Sequence, residues 1–158
     1  MVATAWSLSI PRSVLQGILR LADDGERELE TGGILLGHED EPASTTRVTT
    51  AGDPGPAAVR QPRFFSRDLQ HSQQLADMAW RLDHSQWIGE WHTHPHGQPV
   101  PSRIDHHSYL RHVRDPELGF ARFVSLLVAI GPQRRTLVAA WITEPNGTSP
   151  AKLDVTDS

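Results

Sequence analysis

Residues 90–107 read EWHTHPHGQPVPSRIDHH and gather five histidines and three prolines into eighteen positions. His92 and His94 stand two apart. On a strand, side chains at i and i+2 share a face, so both imidazoles can reach one ion. Pro95 ends such a strand, and Pro99 and Pro101 stiffen the loop that follows. Ser102 then opens a helix, and Asp105, one turn in, could swing back towards the histidines. Two imidazoles and one carboxylate leave a tetrahedral zinc with one open position, the layout of a catalytic rather than a structural site. The prolines let ligands from a strand and a helix meet at a low ordering cost.

Each fragment also has a plainer reading. Ser102-x-x-Asp105 is a capping-box variant, and such boxes are common. A His-x-His pair on a strand is, alone, more often a surface pair than a metal site. The joint pattern is what separates this segment from coincidence. The two roles of the serine–aspartate pair are compatible, because a helix N-terminus can orient the residue that binds the metal.

The elements that must position these residues read as mixed α and β. Residues 9–22 predict a helix, with Ser9 or Ser13 as cap, Pro11 in the first turn, and an apolar stripe of Val14, Leu15, Ile18, Leu19 and Ala22. Residues 31–37 predict a buried strand entered through two glycines, and residues 45–52 are β-prone. Residues 53–63 predict a proline-rich loop, either a solvated connection or part of a substrate groove. Ser66 is expected to cap a helix running to about Leu82, with Leu69, Leu75, Ala76, Ala79 and Leu82 facing inward. Residues 86–94, 123–131 and 136–143 predict strands, and residues 102–113 a helix. Residues 1–144 are expected to form one domain. Residues 145–158, which hold the single lysine, Lys152, are expected to be a flexible tail.

Composition bounds the function. The 158 residues suit one compact domain with a real core. A formal net charge of −4 argues against nucleic acid held by bulk positive charge. The chain has no cysteine, which excludes a disulfide framework, a thiolate metal site and a cysteine nucleophile. The longest apolar run, Phe123 to Ile130, is too short to span a bilayer. The N-terminus shows no basic segment before an apolar stretch. The expectation is a cytoplasmic protein with neither nucleic acid nor membrane as partner.

His92-Thr93-His94-Pro95, then Ser102-x-x-Asp105, resembles the motif of the JAMM (MPN-plus, JAB-domain) metalloproteases at every fixed position. That family also carries a glutamate on an upstream strand before a glycine-rich segment, and Glu30-Thr-Gly-Gly-Ile-Leu-Leu-Gly37 fits this. The order of predicted elements fits across about residues 10–143. The wording of the motifs is most similar to bacterial JAB proteins encoded beside ubiquitin-activating-like and conjugating-like enzymes, including those of anti-phage operons.

The resemblance implies a JAB/MPN, cytidine-deaminase-like architecture: a mixed central β-sheet flanked by helices. It implies one Zn²⁺ per chain on His92, His94 and Asp105, with Glu30 as general base and then acid. Ser102 would donate to the developing oxyanion. The reaction implied is hydrolysis of a peptide or isopeptide bond after the C-terminal tail of a ubiquitin-like modifier or a similarly conjugated protein. Activating and conjugating enzymes of the same operon are the implied further partners.

Glu90 departs from many members of the family, which carry an apolar or aromatic residue there. By strand alternation it shares a face with the two histidines. It could be a rival base, a partner for a ligand imidazole, or half of a buried pair with an arginine; Glu30 is the expected base. His96, His106, His107 and His112 are expected to be solvated, and Trp87, Trp91 and Trp141 to pack in or around the core. Other readings remain: processing of a sulfur-carrier-type ubiquitin-like precursor, a non-catalytic MPN binding module, and a RadC-like protein. The intact ligand set disfavours the second, and the acidic balance and the sequence around the motifs disfavour the third.

Overall fold

The computed structural model describes residues 5–24 and 26–157. The first four residues of the expected domain therefore lie outside the described residues. In chain order the elements are β1 (Ser7–Pro11), α1 (Arg12–Ala22), β2 (Gly32–Asp40), β3 (Thr45–Ala51), β4 (Val59–Gln61) and β5 (Phe64–Ser66). They continue with α2 (Leu69–Asp83), β6 (Gln86–Pro95), α3 (Arg103–Arg114) and β7 (Phe123–Ile130). A short 3-10 turn (Pro132–Arg134), β8 (Thr136–Glu144) and β9 (Gly147–Thr156) complete the chain.

Seven strands form one mixed sheet in the order β1-β3-β2-β6-β7-β8-β9, and β9 pairs back onto β1 to close it into a barrel. The expectation of a mixed sheet flanked by helices holds, and closure is the added feature. Alternating residues fill the interior: Leu8, Ile10, Leu35, Trp91, Leu126 and Val128 are buried together, with Ile18 of α1 packed among them. Removing such side chains from water is the main stabilising term, about 25 cal/mol per Å² of apolar surface. The Trp91 indole N–H is not left unpaired in this core; it donates to the Gly52 carbonyl at 2.9 Å. A second cluster of Tyr109, Val113 and Phe123, with Trp87, Leu110 and Phe120 against it, seats α3 beside β7.

The structure corrects several expectations. Residues 147–156 are not a flexible tail but β9, hydrogen-bonded to β8 on one side and β1 on the other. A two-residue link, Pro145-Asn146, turns the chain, and Gly147 takes φ 143° at its exit, a conformation that favours glycine. Ala151, Leu153 and Val155 then pack on the core, and Lys152 pairs in register with Ser7. Ser9 to Pro11 belong to β1 rather than to a helix, because Leu8 and Ile10 alternate into the core. Pro11 caps α1 from extended backbone, without a side-chain bond.

The proline-rich segment at 53–63 contains β4, which forms a hairpin with β5. Helix α2 starts at Leu69, not near Ser66, and its cap is Asp68, whose carboxylate accepts from the His71 backbone N–H at 3.1 Å. Its inward stripe runs through Ser72, which is buried, and Leu75, Ala76 and Ala79, which are half-buried. Leu69 and Leu82, expected to face inward, are instead 69% and 85% exposed, in the first and last turns of the helix.

Candidate metal centre

Strand β6 is the spine of the site. It pairs antiparallel with β2 and parallel with β7, so its centre is held from both sides. Glu90, His92 and His94 lie on one face by alternation, with Trp91 and Thr93 on the other. Opposite His92 stands Gly32. A Cβ there would come within 2.4 Å of the Trp91 carbonyl oxygen and 2.8 Å of the His92 Cβ, so only glycine permits this approach.

Helix α3 brings the third group. The Ser102 hydroxyl accepts from the Asp105 backbone N–H at 3.1 Å, and the Asp105 Oδ2 accepts from the Ser102 backbone N–H at 2.8 Å. This is a complete capping box, and it aims the Asp105 carboxylate back at β6. His92 Nε2 lies 3.3 Å from Asp105 Oδ1, and His94 Nε2 lies 3.1 Å from Oδ2. The two Nε2 atoms are 3.0 Å apart.

These three edges test whether a metal fits. A tetrahedral ion bound at about 2.0–2.1 Å separates its ligand atoms by roughly 3.3 Å. The two Nε2 atoms lie 3.0 Å apart and each meets a different oxygen of Asp105, at 3.3 and 3.1 Å, which brings one ligand atom from each residue close enough to share an ion. Both rings are also turned correctly. His94 Nδ1 donates to the Gln98 carbonyl at 2.9 Å, and His92 Nδ1 faces Glu90 Oε1 at 3.3 Å, which leaves each Nε2 lone pair facing inward. Among the described residues this is the one His/Asp/Glu group with ligand atoms converging in this way.

Glu30 arrives from the far side, just ahead of β2. Its backbone is held from two directions. The Glu30 N–H donates to the Gln61 carbonyl of β4 at 2.8 Å, and Arg60 Nε donates to the Glu30 carbonyl at 3.1 Å. Next to it, the Thr31 N–H donates to the buried Thr93 hydroxyl at 2.9 Å, and the Thr93 N–H donates to the Thr31 carbonyl at 2.9 Å. Glu30, Glu90, His92 and Asp105 then line one groove, walled by Phe64 and Phe65 of the hairpin and by Ile104 and Arg111 of α3.

The electrostatics follow from this crowding. Burial pushes the Glu30 carboxyl above its ordinary value; His92 and His94 pull the other way, while Asp105 and Glu90 add to the rise. Burial pulls His92 down, but hydrogen bonds to Asp105 and Glu90 outweigh it and lift the imidazole to about 10. Burial pushes Asp105 up, yet the two imidazoles dominate and hold it well below the carboxylate range. Without a metal the centre therefore stores a proton where a cation would sit.

The remaining histidines do not join the cluster. His96 pairs with Glu28 at 2.7 Å on the surface, and His107 is exposed. His112 departs from the expected solvated role: it is half-buried, its ring stacks on Phe123 at 4.8 Å, and burial lowers its pKa. Sequence reasoning missed Thr93 and Arg60. The threonine had a signal, since it lies between His92 and His94 on the opposite strand face. Arg60 had none while its segment read as a loop.

The family of prokaryotic homologues of the JAB domain matches residues 11–144. The chain belongs to that family. A probable metalloprotease, y4qB, from Sinorhizobium fredii is 35% identical over 136 residues, which span 84% of this chain and 81% of that protein. A CD-NTase/cGAS isopeptidase from Enterobacter hormaechei is 27% identical over 124 residues, 78% of this chain and 68% of that protein. Protein DSY2949 from Desulfitobacterium hafniense shares the fold, with a TM-score of 0.71 over 96% of this chain and 94% of its own, at 17% identity. These relatives support a JAB-type peptidase or isopeptidase, and the His92–His94–Asp105 cluster supports a metal ion within it. No helix among the described residues is long and apolar enough to cross a membrane.

Proposed function

We propose that this JAB-family chain is a zinc-dependent isopeptidase that hydrolyses the bond after the C-terminal tail of a ubiquitin-like modifier or a similarly conjugated protein. The observation that carries this reading is the inward-facing triangle of His92, His94 and Asp105, with the Glu30 carboxyl beside it in an open groove. A donor set of two imidazoles and one carboxylate suits zinc and keeps one position for chemistry. A bound zinc supplies Lewis acidity and brings the acidity of water towards neutrality.

The protein groups do the rest. Glu30, with its pKa raised by burial, is placed to take a proton from the attacking water and return it to the leaving amine. Ser102 accepts a hydrogen bond from the Asp105 N–H, so its own hydroxyl hydrogen remains to be donated to the oxygen that gains charge. Phe64, Phe65 and Ile104 offer apolar contact to an incoming chain, and the open groove suits a flexible tail better than a folded segment. The likeness to CD-NTase/cGAS isopeptidases supports a protein conjugate as substrate.

The test is a fusion of a ubiquitin-like C-terminal tail to a reporter, with product masses measured. Cleavage at the tail junction is expected. Scattered cleavage of an unfolded protein such as casein, with none at the junction, would overturn the deconjugase reading and keep the peptidase.

A further inference from the structure

Arg67 lies between the β4–β5 hairpin and the cap of α2, and it reaches the back of the metal centre. Its Nη1 is 3.8 Å from Glu90 Oε2, and each of these side chains is only 14% exposed. The other carboxylate oxygen, Oε1, faces His92 Nδ1 at 3.3 Å. The Arg67 guanidinium also sits 4.9 Å from the centre of the Trp87 ring. The next residue, Asp68, is tied down as well: its N–H donates to the Pro54 carbonyl at 3.0 Å and its Oδ2 accepts from the Ala57 N–H at 3.0 Å.

A shielded carboxylate with no partner would be costly, so Glu90 needs a cation. Arg67 supplies it. Held in this way, Glu90 presents Oε1 3.3 Å from His92 Nδ1, on the ring edge that points away from Asp105, where it can accept that N–H. That bond selects the tautomer whose Nε2 is free to bind metal and fixes the ring against rotation. We propose that Arg67 and Glu90 form a positioning pair that presents His92 to the metal, with Arg67 linking this ligand to the wall of the substrate groove. The proposal rests on the metal-site reading and adds two residues that touch neither metal nor substrate bond.

Zinc affinity, measured without substrate by competition with a chromogenic chelator, separates this role from groove binding. The unaltered chain is measured first; if it binds no zinc, the site reading and the pair fall together. Glu90→Gln should weaken zinc binding by about 10- to 100-fold. Arg67→Met should weaken it in the same direction, Arg67→Lys should recover part of the loss, and Arg67→Met added to Glu90→Gln should cost little more. Should Glu90→Gln fail to fold by circular dichroism, the two Arg67 variants carry the test. Unchanged zinc affinity in a folded Glu90→Gln protein, or in both Arg67 variants, overturns the pair alone. So does a loss confined to KM, with affinity intact, since that would make Arg67 only a groove residue.

Discussion

The Nε2 atoms of His92 and His94 face each other at 3.0 Å, while each Nδ1 turns outward to an acceptor of its own. Two neutral lone pairs repel at that separation, so the centre demands a cation or a shared proton. The purified protein should carry about one zinc per chain. His92→Ala and Asp105→Ala should lose both metal and hydrolysis, as should chelation of the unaltered chain. Elemental analysis beside an activity assay checks this; full activity in a verified metal-free sample would refute the mechanism.

Proton and metal compete for one place, which fixes a sign. In the metal-free protein His92 is raised from 6.5 to about 10, so its contribution to stability is complete below pH 6.5 and is lost as pH rises towards 10. Asp105 is held below its ordinary 3.8, so its contribution is present above pH 3.8 and is lost on further acidification. The metal-free chain should therefore melt highest, relative to Asp105→Asn, between about pH 4 and 6.5. The extra stability given by zinc should instead grow from pH 5 to pH 8, because His92 must release its proton to bind it. Melting curves with and without zinc across that range decide both.

Glu30→Gln should keep zinc and fold but lose most turnover, since it removes a proton carrier and no ligand. The acidic limb of the rate profile should lie above the ordinary carboxyl value of 4.5, because burial raises Glu30, and the rate should rise as the group deprotonates. If Glu30→Gln stayed active while Glu90→Gln died, the base would be misassigned.

For Ser102 the cap and the hydroxyl chemistry must be separated. Ser102→Ala should lower turnover by about 10²-fold and stability by about 1 kcal/mol. Ser102→Gly should cost only a few tenths of a kcal/mol as a cap, yet lose the same turnover. Recovery of turnover in the glycine variant would assign the residue to the cap alone.

Deleting residues after Glu144 should prevent folding, because β9 pairs with two strands and seals one side of the core. Leu153→Ala, at a half-buried position, should cost about 1–3 kcal/mol in urea unfolding. A shortened chain with an unchanged melting point would contradict the barrel.

Much of the site was legible in the sequence, for a physical reason. His92, His94, Ser102 and Asp105 come together through short, local spacing on one strand and one helix cap, and local spacing is what a sequence displays. Glu30 was placed by its glycine-rich surroundings, which the structure explains through the close approach at Gly32. Residues 147–156 were misread because Thr148, Ser149 and Pro150 mask the alternation of Ala151, Leu153 and Val155 that follows. The contacts of Arg67 and Arg60 depend on where a hairpin folds back, which no local pattern carries. The ends of α2 failed similarly: Leu69 and Leu82 keep helical spacing, yet both lie exposed in its first and last turns.

Closure of the main sheet has a consequence for any extended chain that enters the groove. All seven barrel strands have a neighbour on both sides along at least part of their length, although Val48–Ala51 of β3 run past β1 and Thr136–Ala139 of β8 run past β9. The two-stranded sheet of β4 and β5 is different. Glu30 already occupies the Gln61 carbonyl on the β4 side, whereas among the described residues no strand lies against the outer side of β5. Residues 64–66 thus hold an unfilled ladder that lies beside the groove containing Glu30 and His92. A tail that needs main-chain partners would find them there.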